Sequence, residues 1–400
     1  MENKNIIIVG LQDWDTAIGS NCKNIALEFA KNNRVLYVNY PLDMITMVRE
    51  RKNPNIKKRI EAIKNGKLQI EQVDKNIWSF YPSVLINSIN WISSPKIYDS
   101  LNRRNNKKFA AEIKKAASEL GFTDYILFND NDIFRSLYLK EYLEPTKSIY
   151  YIRDFLLSVP YWKKHGKRLE PQLISKSNYV FTNSVYLKNY AAENNINSFY
   201  VGQGCEIDLF DPSNDYPIPA ELHAIKKPIV GYIGMLASLR LDIELLVYIA
   251  EKLPQMSFVF VGPEDDNFKE SKLHTMNNVH FLGSREVAKL PNYLSHFDVC
   301  INPQLVNDVT IGNYPRKVDE YLAMGKPVVA TKTEAMGVFE PHTYLASGKE
   351  EFASKILRAL TEDQQGLINK RIEFAKAHTW QNSVQEIYNA VESEVEYQNA

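Results

Sequence analysis

The stretch Gly312-Asn-Tyr-Pro-Arg-Lys-Val-Asp-Glu-Tyr-Leu-Ala-Met-Gly-Lys-Pro-Val-Val-Ala-Thr331 indicates how the second half of the chain folds. Pro315 suits the first position of a helix, and Gly325 suits the residue that ends one. Apolar side chains recur at helical spacing between them, and residues 327–330 then have the composition of a buried strand. The stretch therefore predicts a helix that starts in a loop and leads into a strand.

The start of this predicted helix has the properties of an anion site. A helix N-terminus exposes unpaired N–H groups and about half a positive charge, so it favours phosphate oxygens. Arg316 and Lys317 add full charges in the first turn. Two cations there oppose the helix dipole unless an anion compensates them. The alternative is an ordinary solvated helix start.

Strand-like runs alternate with amphipathic stretches on both sides of this segment, which is typical of parallel sheets with crossover helices. The segment 208–219 is rich in Pro, Asp and Asn and is predicted to be a linker. We expect an α/β fold with two doubly wound Rossmann-like domains (1–207 and 220–378) and a C-terminal helix (379–400). The predicted strands are 6–9, 35–39, 77–81, 125–128, 148–152, 179–182, 198–201, 229–233, 258–261, 279–282, 299–302 and 327–330, and helices are expected at 350–360, 364–378 and 380–396.

Composition limits the classes of function. The 400 residues are 44% apolar and 12% aromatic, and their formal net charge is zero, which argues against a nucleic-acid partner. The cysteines and histidines lack metal-ligand spacing, and no Gly-x-Gly-x-x-Gly occurs, so we expect neither a metal nor a dinucleotide cofactor. No segment has the length of a signal-peptide core or a membrane span. We therefore expect a cytoplasmic protein, with peripheral membrane contact still allowed.

The run Lys317-x-x-Glu320-Tyr-Leu-Ala-x-Gly325-x-Pro327-Val-Val resembles the donor-binding motif of family 4 (group 1) glycosyltransferases. That family has the GT-B fold, in which two Rossmann-like domains face each other across a cleft. Five further stretches between about residues 200 and 345 follow the family's order and spacing: Gln203-Gly-Cys-Glu206-Ile-Asp-Leu-Phe210, Gly231-Tyr-Ile-Gly234-Met-Leu-Ala-Ser-Leu-Arg240, Phe258-Val-Phe-Val-Gly262, Val279-His-Phe-Leu-Gly283-Ser-Arg285 and Phe297-Asp-Val-Cys-Ile-Asn-Pro303.

The resemblance implies a nucleoside diphosphate-sugar as donor, with a UDP-sugar slightly favoured over a GDP-sugar. In that family a glutamate of the motif binds the ribose, and a carboxylate can accept hydrogen bonds from both vicinal hydroxyls of a ribose. The implied site residues are Gly234, Arg240, Pro315, Arg316 and Lys317 for the diphosphate, Glu320 for the ribose, and Gly262 and Arg285 for the base.

Two positions depart from the family pattern. Met235 stands where relatives have an arginine, and Gly312 stands where many of them have a second glutamate near the sugar. The transferred sugar and the stereochemical outcome therefore stay open.

In the first domain, the predicted strand 148–152 ends at Arg153-Asp154, where relatives often have His-Asp facing the donor sugar. A carboxylate in that position can deprotonate an acceptor hydroxyl, so Asp154 is our candidate catalytic base, with Arg153 as a weaker acceptor contact. The alternative is that Asp154 only pairs with Arg153 or caps a helix.

The loop after the first strand offers Asp13, Trp14 and Asp15 as weak candidates for acceptor contacts, because open α/β sheets bind ligands at strand carboxyl ends. Trp14 could stack on a sugar face. A helix-capping role for Ser20 or Asn21 needs no ligand.

Residues 49–115 combine basic runs with aromatic side chains. They are either solvated helix faces or a surface that docks on anionic lipid, where each nearby cation contributes about 1 kcal/mol.

These observations lead us to expect a metal-independent glycosyltransferase that acts on a glycan or lipid-linked glycan in bacterial surface polysaccharide or capsule synthesis. Two alternatives stay open. One is a sugar-nucleotide epimerase of the same fold, and the other is a non-catalytic protein that binds glycan or nucleotide.

Overall fold

The computed structural model describes residues 1–16, 20–65, 69–205, 207–362 and 365–398. The chain divides into two compact units, of which unit 1 comprises Met1–Gly202 with Ser383–Ala400, and unit 2 comprises Gln203–Asn382. Some residues of the stretches discussed above lie outside the described residues, namely 17–19, 66–68, Glu206 and Gln364. The predicted linker 208–219 lies within unit 2, and its Phe210 is buried in that unit's core.

Unit 1 is built on a sheet with helices on both of its faces. Its strands are β1 (Asn5–Gly10), β2 (Arg34–Val38), β3 (Gln69–Asp74), β4 (Ile77–Tyr81), β5 (Ile126–Asp130), β6 (Lys147–Ile152), β7 (Tyr179–Thr182) and β8 (Ser198–Tyr200). Its helices are α1 (Asn21–Ala30), α2 (Met44–Arg49), α3 (Pro54–Asn65), α4 (Pro95–Glu119), α5 (Leu139–Leu143), α6 (Pro160–Lys176) and α7 (Val185–Ala192).

The unit 1 sheet has the order β3-β4-β2-β1-β5-β6-β7-β8. All neighbours pair in parallel except β3, which is antiparallel to β4. Strands β2 to β4 lie on one side of β1, and β5 to β8 lie on the other side. The carboxyl ends of β1 and β5 therefore form a topological switch point, where open α/β sheets bind ligands.

Unit 2 repeats this plan with a wholly parallel sheet. Its strands are β9 (Ile229–Ile233), β10 (Ser257–Val261), β11 (Val279–Gly283), β12 (Val299–Asn302), β13 (Val328–Thr331) and β14 (Tyr344–Ala346). The helices are α8 (Ile243–Lys252), α9 (Asp266–Lys269), α10 (Leu290–Leu294), α11 (Arg316–Ala323), α12 (Lys349–Thr361) and α13 (Gln365–Ala377). Most of the last helix, α14 (Trp380–Gln398), belongs to unit 1, which includes Ser383–Ala400. The order β11-β10-β9-β12-β13-β14 puts the switch point between β9 and β12.

Apolar side chains point to both faces of this sheet, which explains why helices cover both faces. In β10, Val259 and Val261 belong to one apolar core, whereas Phe258 and Phe260 belong to the other. Successive strand residues point to opposite faces, so every residue of β10 is buried. The first core includes the apolar face of α11, and the second includes those of α8 and α12. The predicted doubly wound α/β architecture is confirmed.

The last helix carries the apolar face that the sequence predicted, since Val384, Ile387, Tyr388 and Val391 are buried. Within unit 1, the Tyr388 ring stacks on Phe29 with centroids 5.8 Å apart. No helix in the described part of the chain is long and apolar enough to cross a membrane.

Candidate functional site

The switch point of unit 2 is formed by the two loops that follow β9 and β12. These loops are tied together by hydrogen bonds. The backbone N–H of Leu305 donates to the carbonyl of Arg240 at 2.9 Å, and Asn307 Nδ2 donates to the carbonyl of Leu239 at 3.0 Å. The backbone of Arg240 is therefore fixed beside the loop that leads into α11, while its side chain stays exposed.

Helix α11 begins at this edge of the sheet. It starts at Arg316, one residue later than predicted, so Pro315 is its N-cap residue rather than its first helical residue. No side chain caps its N-terminus. Two of its first N–H groups, those of Arg316 and Val318, donate to the backbone carbonyls of Tyr314 and Pro315 at 3.1 and 2.8 Å. At its other end, Gly325 has φ +69° and the predicted role of terminating residue. The N–H groups of Gly325 and Lys326 donate to the carbonyls of Leu322 and Tyr321, which is the Schellman pattern.

Lys317 is the residue that brings the predicted diphosphate site together. Its Nζ donates to the hydroxyl of Tyr232 at 3.0 Å and lies 4.7 Å from the centre of that ring. A Cβ added at Gly234 would lie 3.4 Å from Lys317 Nζ, so the absence of a side chain there keeps the space beside the ammonium open. The first turn of α11 and the end of β9 thus meet at one point, and sequence reasoning missed only Tyr232.

Gly262 supports this point from β10. Its φ is +154°, and a Cβ there would lie 1.9 Å from the carbonyl oxygen of Gly234. Only glycine permits this approach of two backbones. The structure gives Gly262 a packing role, and its predicted contact with a base stays a prediction.

Arg316 and Glu320 form an ion pair on the surface of α11, with Arg316 Nε 3.2 Å from Glu320 Oε1. The Glu320 side chain is 14% exposed, and its contact with a ribose stays a prediction. Arg316 therefore holds the carboxylate on its own helix, which leaves Lys317 as the cation closest to Gly234.

Arg285 is fixed within unit 2 by two partners. Its Nη2 lies 2.7 Å from Glu221 Oε1, and its Nε donates to the hydroxyl of Tyr293 at 2.8 Å. The predicted base contact of Arg285 is untested.

The sequence analysis did not predict a polar pair between α11 and the residue that follows α13, His378. His378 Nδ1 lies 2.7 Å from Asp319 Oδ1 and 3.3 Å from the hydroxyl of Tyr314. Asp319 is fully buried, and burial raises the pKa of its carboxyl while His378 acts in the opposite direction. The two residues lie 59 positions apart in the sequence, so no spacing signals their contact.

In unit 1, a second charged cluster lies at the carboxyl ends of β5 and β6. Arg153 Nε donates to both carboxylate oxygens of Asp130, at 3.0 and 3.2 Å, and Arg153 Nη1 donates to Asp154 Oδ2 at 2.9 Å. Asp130 is fully buried, and burial raises the pKa of its carboxyl although Arg153 opposes the rise. The ion pair between Arg153 and Asp154 is the arrangement named above as the alternative to a catalytic role. Asp130 was missed, although an acidic residue at the end of a buried strand is a usable signal.

The loop after β1 is held by contacts of its own. Asp13 pairs with Arg59, and burial raises the pKa of the Asp13 carboxyl while Arg59 opposes the rise. The ammonium of Lys23 lies 4.8 Å from the centre of the Trp14 ring, and Asp15 is exposed. The structure thus brings Asp13 and Trp14 into internal contacts, and acceptor contact by this loop stays a prediction.

No group of three or more His, Cys, Asp or Glu side chains that could hold a metal ion occurs among the described residues.

Comparison with known proteins gives a family match and similar folds. Residues 227–362 match the family model "Glycosyl transferases group 1". The chain is 27% identical over 201 residues to the putative teichuronic acid biosynthesis glycosyltransferase TuaH of Bacillus subtilis. This match covers 48% of the chain and 50% of TuaH, so the chain spans about half the length of that relative.

Two solved structures share the fold over nearly the whole chain. Sucrose-phosphate synthase from Thermosynechococcus elongatus matches with a TM-score of 0.68 and 16% identity, covering 99% of this chain and 100% of that one. Anabaena HepE in complex with UDP matches with a TM-score of 0.67 and 15% identity, covering 98% and 100%. The chain therefore has the GT-B fold, and residues 227–362 match the glycosyl transferases group 1 family.

Proposed function

We propose that this protein transfers a sugar from a nucleoside diphosphate donor to a hydroxyl of a glycan acceptor in the synthesis of a bacterial surface polysaccharide. The observation that carries the proposal is the convergence of Lys317, Gly234 and the uncapped N-terminus of α11 at the switch point of unit 2. The anion that suits this point is the donor diphosphate. TuaH, by its name, belongs to teichuronic acid synthesis, which supports a surface glycan as the product.

In the reaction, the acceptor hydroxyl loses its proton and its oxygen forms a bond to the anomeric carbon of the donor sugar. The bond from that carbon to the diphosphate breaks, and the nucleoside diphosphate leaves. Lys317, Arg240 and the N–H groups of α11 stabilise the negative charge that develops on the leaving group. Asp154 is the proposed base, and Arg153 holds it in place. No metal ion or cofactor enters this scheme.

The donor is proposed to be a UDP-sugar, since HepE was solved in complex with UDP. The test is a thermal-shift series with UDP, GDP and ADP. A ligand at a hundred times its Kd stabilises the folded state by about 2.7 kcal/mol, so binding of one of them raises Tm measurably. Failure of all three to raise Tm would overturn the donor site.

A second assay separates transfer from the two alternatives. A glycosyltransferase releases the nucleoside diphosphate from the donor only when an acceptor is present. An epimerase converts the sugar at C2 without an acceptor, and a non-catalytic protein binds the nucleotide and does neither.

Contact with an anionic membrane is proposed for the segment that begins at α2. The apolar side chains of this helix are largely exposed: Met44 is 51%, Ile45 54% and Val48 66% exposed. The cations Arg49 and Arg51 follow them in the sequence. Exposed apolar side chains beside cations suit an interface with anionic headgroups.

The test of membrane contact is sedimentation with phosphatidylglycerol vesicles, with phosphatidylcholine vesicles for comparison. Val48→Ser should weaken binding to the anionic vesicles. Ile196→Ser should leave it unchanged, because Ile196 is 93% exposed on the same unit and lies away from the basic run. Equal binding to both kinds of vesicle would refute the proposal. Such a membrane-bound enzyme works on the inner face of the cytoplasmic membrane.

A further inference from the structure

Helix α11 is held by hydrogen bonds on two opposite sides. On one side, the backbone N–H of Ile233, at the end of β9, donates to the hydroxyl of Tyr321 at 2.8 Å. On the other side, Asp319 Oδ1 lies 2.7 Å from His378 Nδ1. Two residues span about 200° around an α-helix, so Asp319 points away from both Tyr321 and Lys317. The helix therefore lies between β9 and His378, with Lys317 on the β9 side.

His378 also contacts the segment that leads into α11. Its Nδ1 lies 3.3 Å from the hydroxyl of Tyr314, the residue before the N-cap. Tyr314 and Asp319 precede and follow Lys317 in the sequence, and both side chains are buried. The two contacts of His378 therefore lie on either side of the first turn of α11, which carries the cation of the candidate donor site.

His378 is itself fixed by its surroundings in unit 2. Its ring lies edge-to-face with Phe374, with centroids 4.3 Å apart. Its carbonyl accepts from the backbone N–H of Cys205 at 2.9 Å, and its own N–H donates to the carbonyl of Ala375 at 2.9 Å. Because the backbone and the ring are both held, His378 can fix the position of Asp319 rather than follow it.

The orientation of α11 depends on such contacts because the helix has only eight residues. A helix of about two turns is not stable by itself, so tertiary contacts set its position. Side chains reach about 5–6 Å from a helix axis, so a rotation of about 20° moves their ends by about 2 Å. Such a shift would break the 3.0 Å hydrogen bond from Lys317 to Tyr232 and move the ammonium away from Gly234.

A buried aspartate is a costly way to fill a core position. An apolar side chain would pack there without losing hydration, whereas the fully buried Asp319 needs a partner. What the hydrogen bond adds over apolar packing is direction, because it joins one oxygen to one nitrogen at a set distance.

We propose that Asp319 and His378 are positioning residues of the donor site. Their hydrogen bond fixes the rotation of α11 about its axis and so places Lys317 beside Gly234. The inference rests on the proposed function, because its consequence is measured as affinity for the donor nucleotide.

The test compares alanine with asparagine at each of the two positions. Alanine removes the hydrogen bond, whereas asparagine supplies a side-chain donor in place of His378 Nδ1 or an acceptor in place of Asp319 Oδ1. We expect His378→Ala and Asp319→Ala to weaken UDP binding about tenfold in isothermal titration calorimetry. His378→Asn and Asp319→Asn should restore most of that affinity. A role in packing alone would not be rescued at position 378, because asparagine is much smaller than histidine.

Amide hydrogen exchange of residues 316–323 gives a second measurement that needs no ligand. Exchange should rise in both alanine variants and fall back in the asparagine variants. His342→Ala is the matched control, because the His342 ring also packs on Phe374, with centroids 4.2 Å apart, and takes no part in the contacts with Asp319 and Tyr314. Asp319→Ala leaves no buried carboxylate without a partner, so it should fold even where His378→Ala does not.

Three results would overturn the proposal. They are parent-like UDP affinity in both alanine variants, unchanged exchange of residues 316–323 in them, and asparagine variants that bind UDP as weakly as the alanine variants. The proposed function fails in a different way. A parent protein that binds none of UDP, GDP and ADP refutes the donor site, and the exchange of residues 316–323 then still decides whether the pair fixes the helix.

Discussion

Replacing Lys317 by alanine is the most direct test of the donor site, because its effect on UDP binding and its effect on folding can be measured separately. Lys317 Nζ lies beside Gly234 at the N-terminus of α11. A hydrogen bond from a charged donor contributes about 1.5–3 kcal/mol. If Lys317 binds the diphosphate, then Lys317→Ala should weaken UDP binding about 10- to 150-fold.

The same substitution should lower the stability of the free protein by a few kcal/mol at most. It removes the hydrogen bond to Tyr232, which contributes about 1.5–3 kcal/mol, and a cation–ring contact of about 0.5–1 kcal/mol. It also removes a cation from a helix N-terminus, where the dipole makes a positive charge unfavourable by about 0.3–1 kcal/mol. The second effect offsets part of the first, so UDP binding is compared on samples that circular dichroism shows to be folded.

Isothermal titration calorimetry with UDP and with uridine measures the effect. Uridine lacks the diphosphate, so its affinity should not depend on Lys317. Lys289→Ala is the charge-matched control, because Lys289 is 61% exposed and forms an ion pair with Glu286, three residues before it. UDP affinity that is equal in Lys317→Ala and in the parent protein would refute the placement of the diphosphate at α11.

Three further predictions concern other parts of the molecule. Burial raises the pKa of Glu170 to about 7. The neutral carboxyl therefore stabilises the folded state fully below the pKa of the unfolded chain, and this stability is lost as pH rises through 7. Glu170→Gln should remove about 3 kcal/mol of the pH dependence of the unfolding free energy between pH 5 and 8.5, measured by denaturant unfolding. Asp154→Asn should lower kcat by at least about a hundredfold with unchanged UDP affinity, and wild-type kcat would exclude Asp154 as the base. Gly325→Ala should destabilise unit 2 by more than about 1 kcal/mol, since φ is +69° and the new Cβ would lie 2.6 Å from Ile368; an unchanged Tm would contradict the role of Gly325.

Most of the fold could be predicted because both sheets have buried, mainly β-branched and aromatic strands. The strands at 77–81, 179–182, 229–233 and 299–302 were predicted with the observed bounds. Two strands were missed for a physical reason. β3 is a polar edge strand with exposed side chains, and β14 has only three residues, so neither produces the apolar run on which the prediction depends.

The candidate site was less predictable because its geometry comes from residues far apart in sequence. Lys317 and Gly234 were named from local motifs, but nothing local indicates that Tyr232 lies between them. Asp319 and His378 likewise meet only in the folded chain. A motif can identify the residue type that a helix N-terminus requires. Which side chains contact that residue depends on the order of the strands in the sheet, which the motif does not show.

The two switch points differ in a way that bears on their roles. In unit 1, Arg153 is committed to Asp130 and Asp154, so its charge is already compensated by two carboxylates. In unit 2, Lys317 has a neutral hydroxyl and an aromatic face as its neighbours, and neither compensates its charge. A partly buried cation beside neutral groups at an uncapped helix N-terminus is stabilised by an added anion, whereas a compensated one gains little from it. This charge balance supports the proposed anionic donor in unit 2, and it suits unit 1 to a neutral or weakly charged partner such as a glycan.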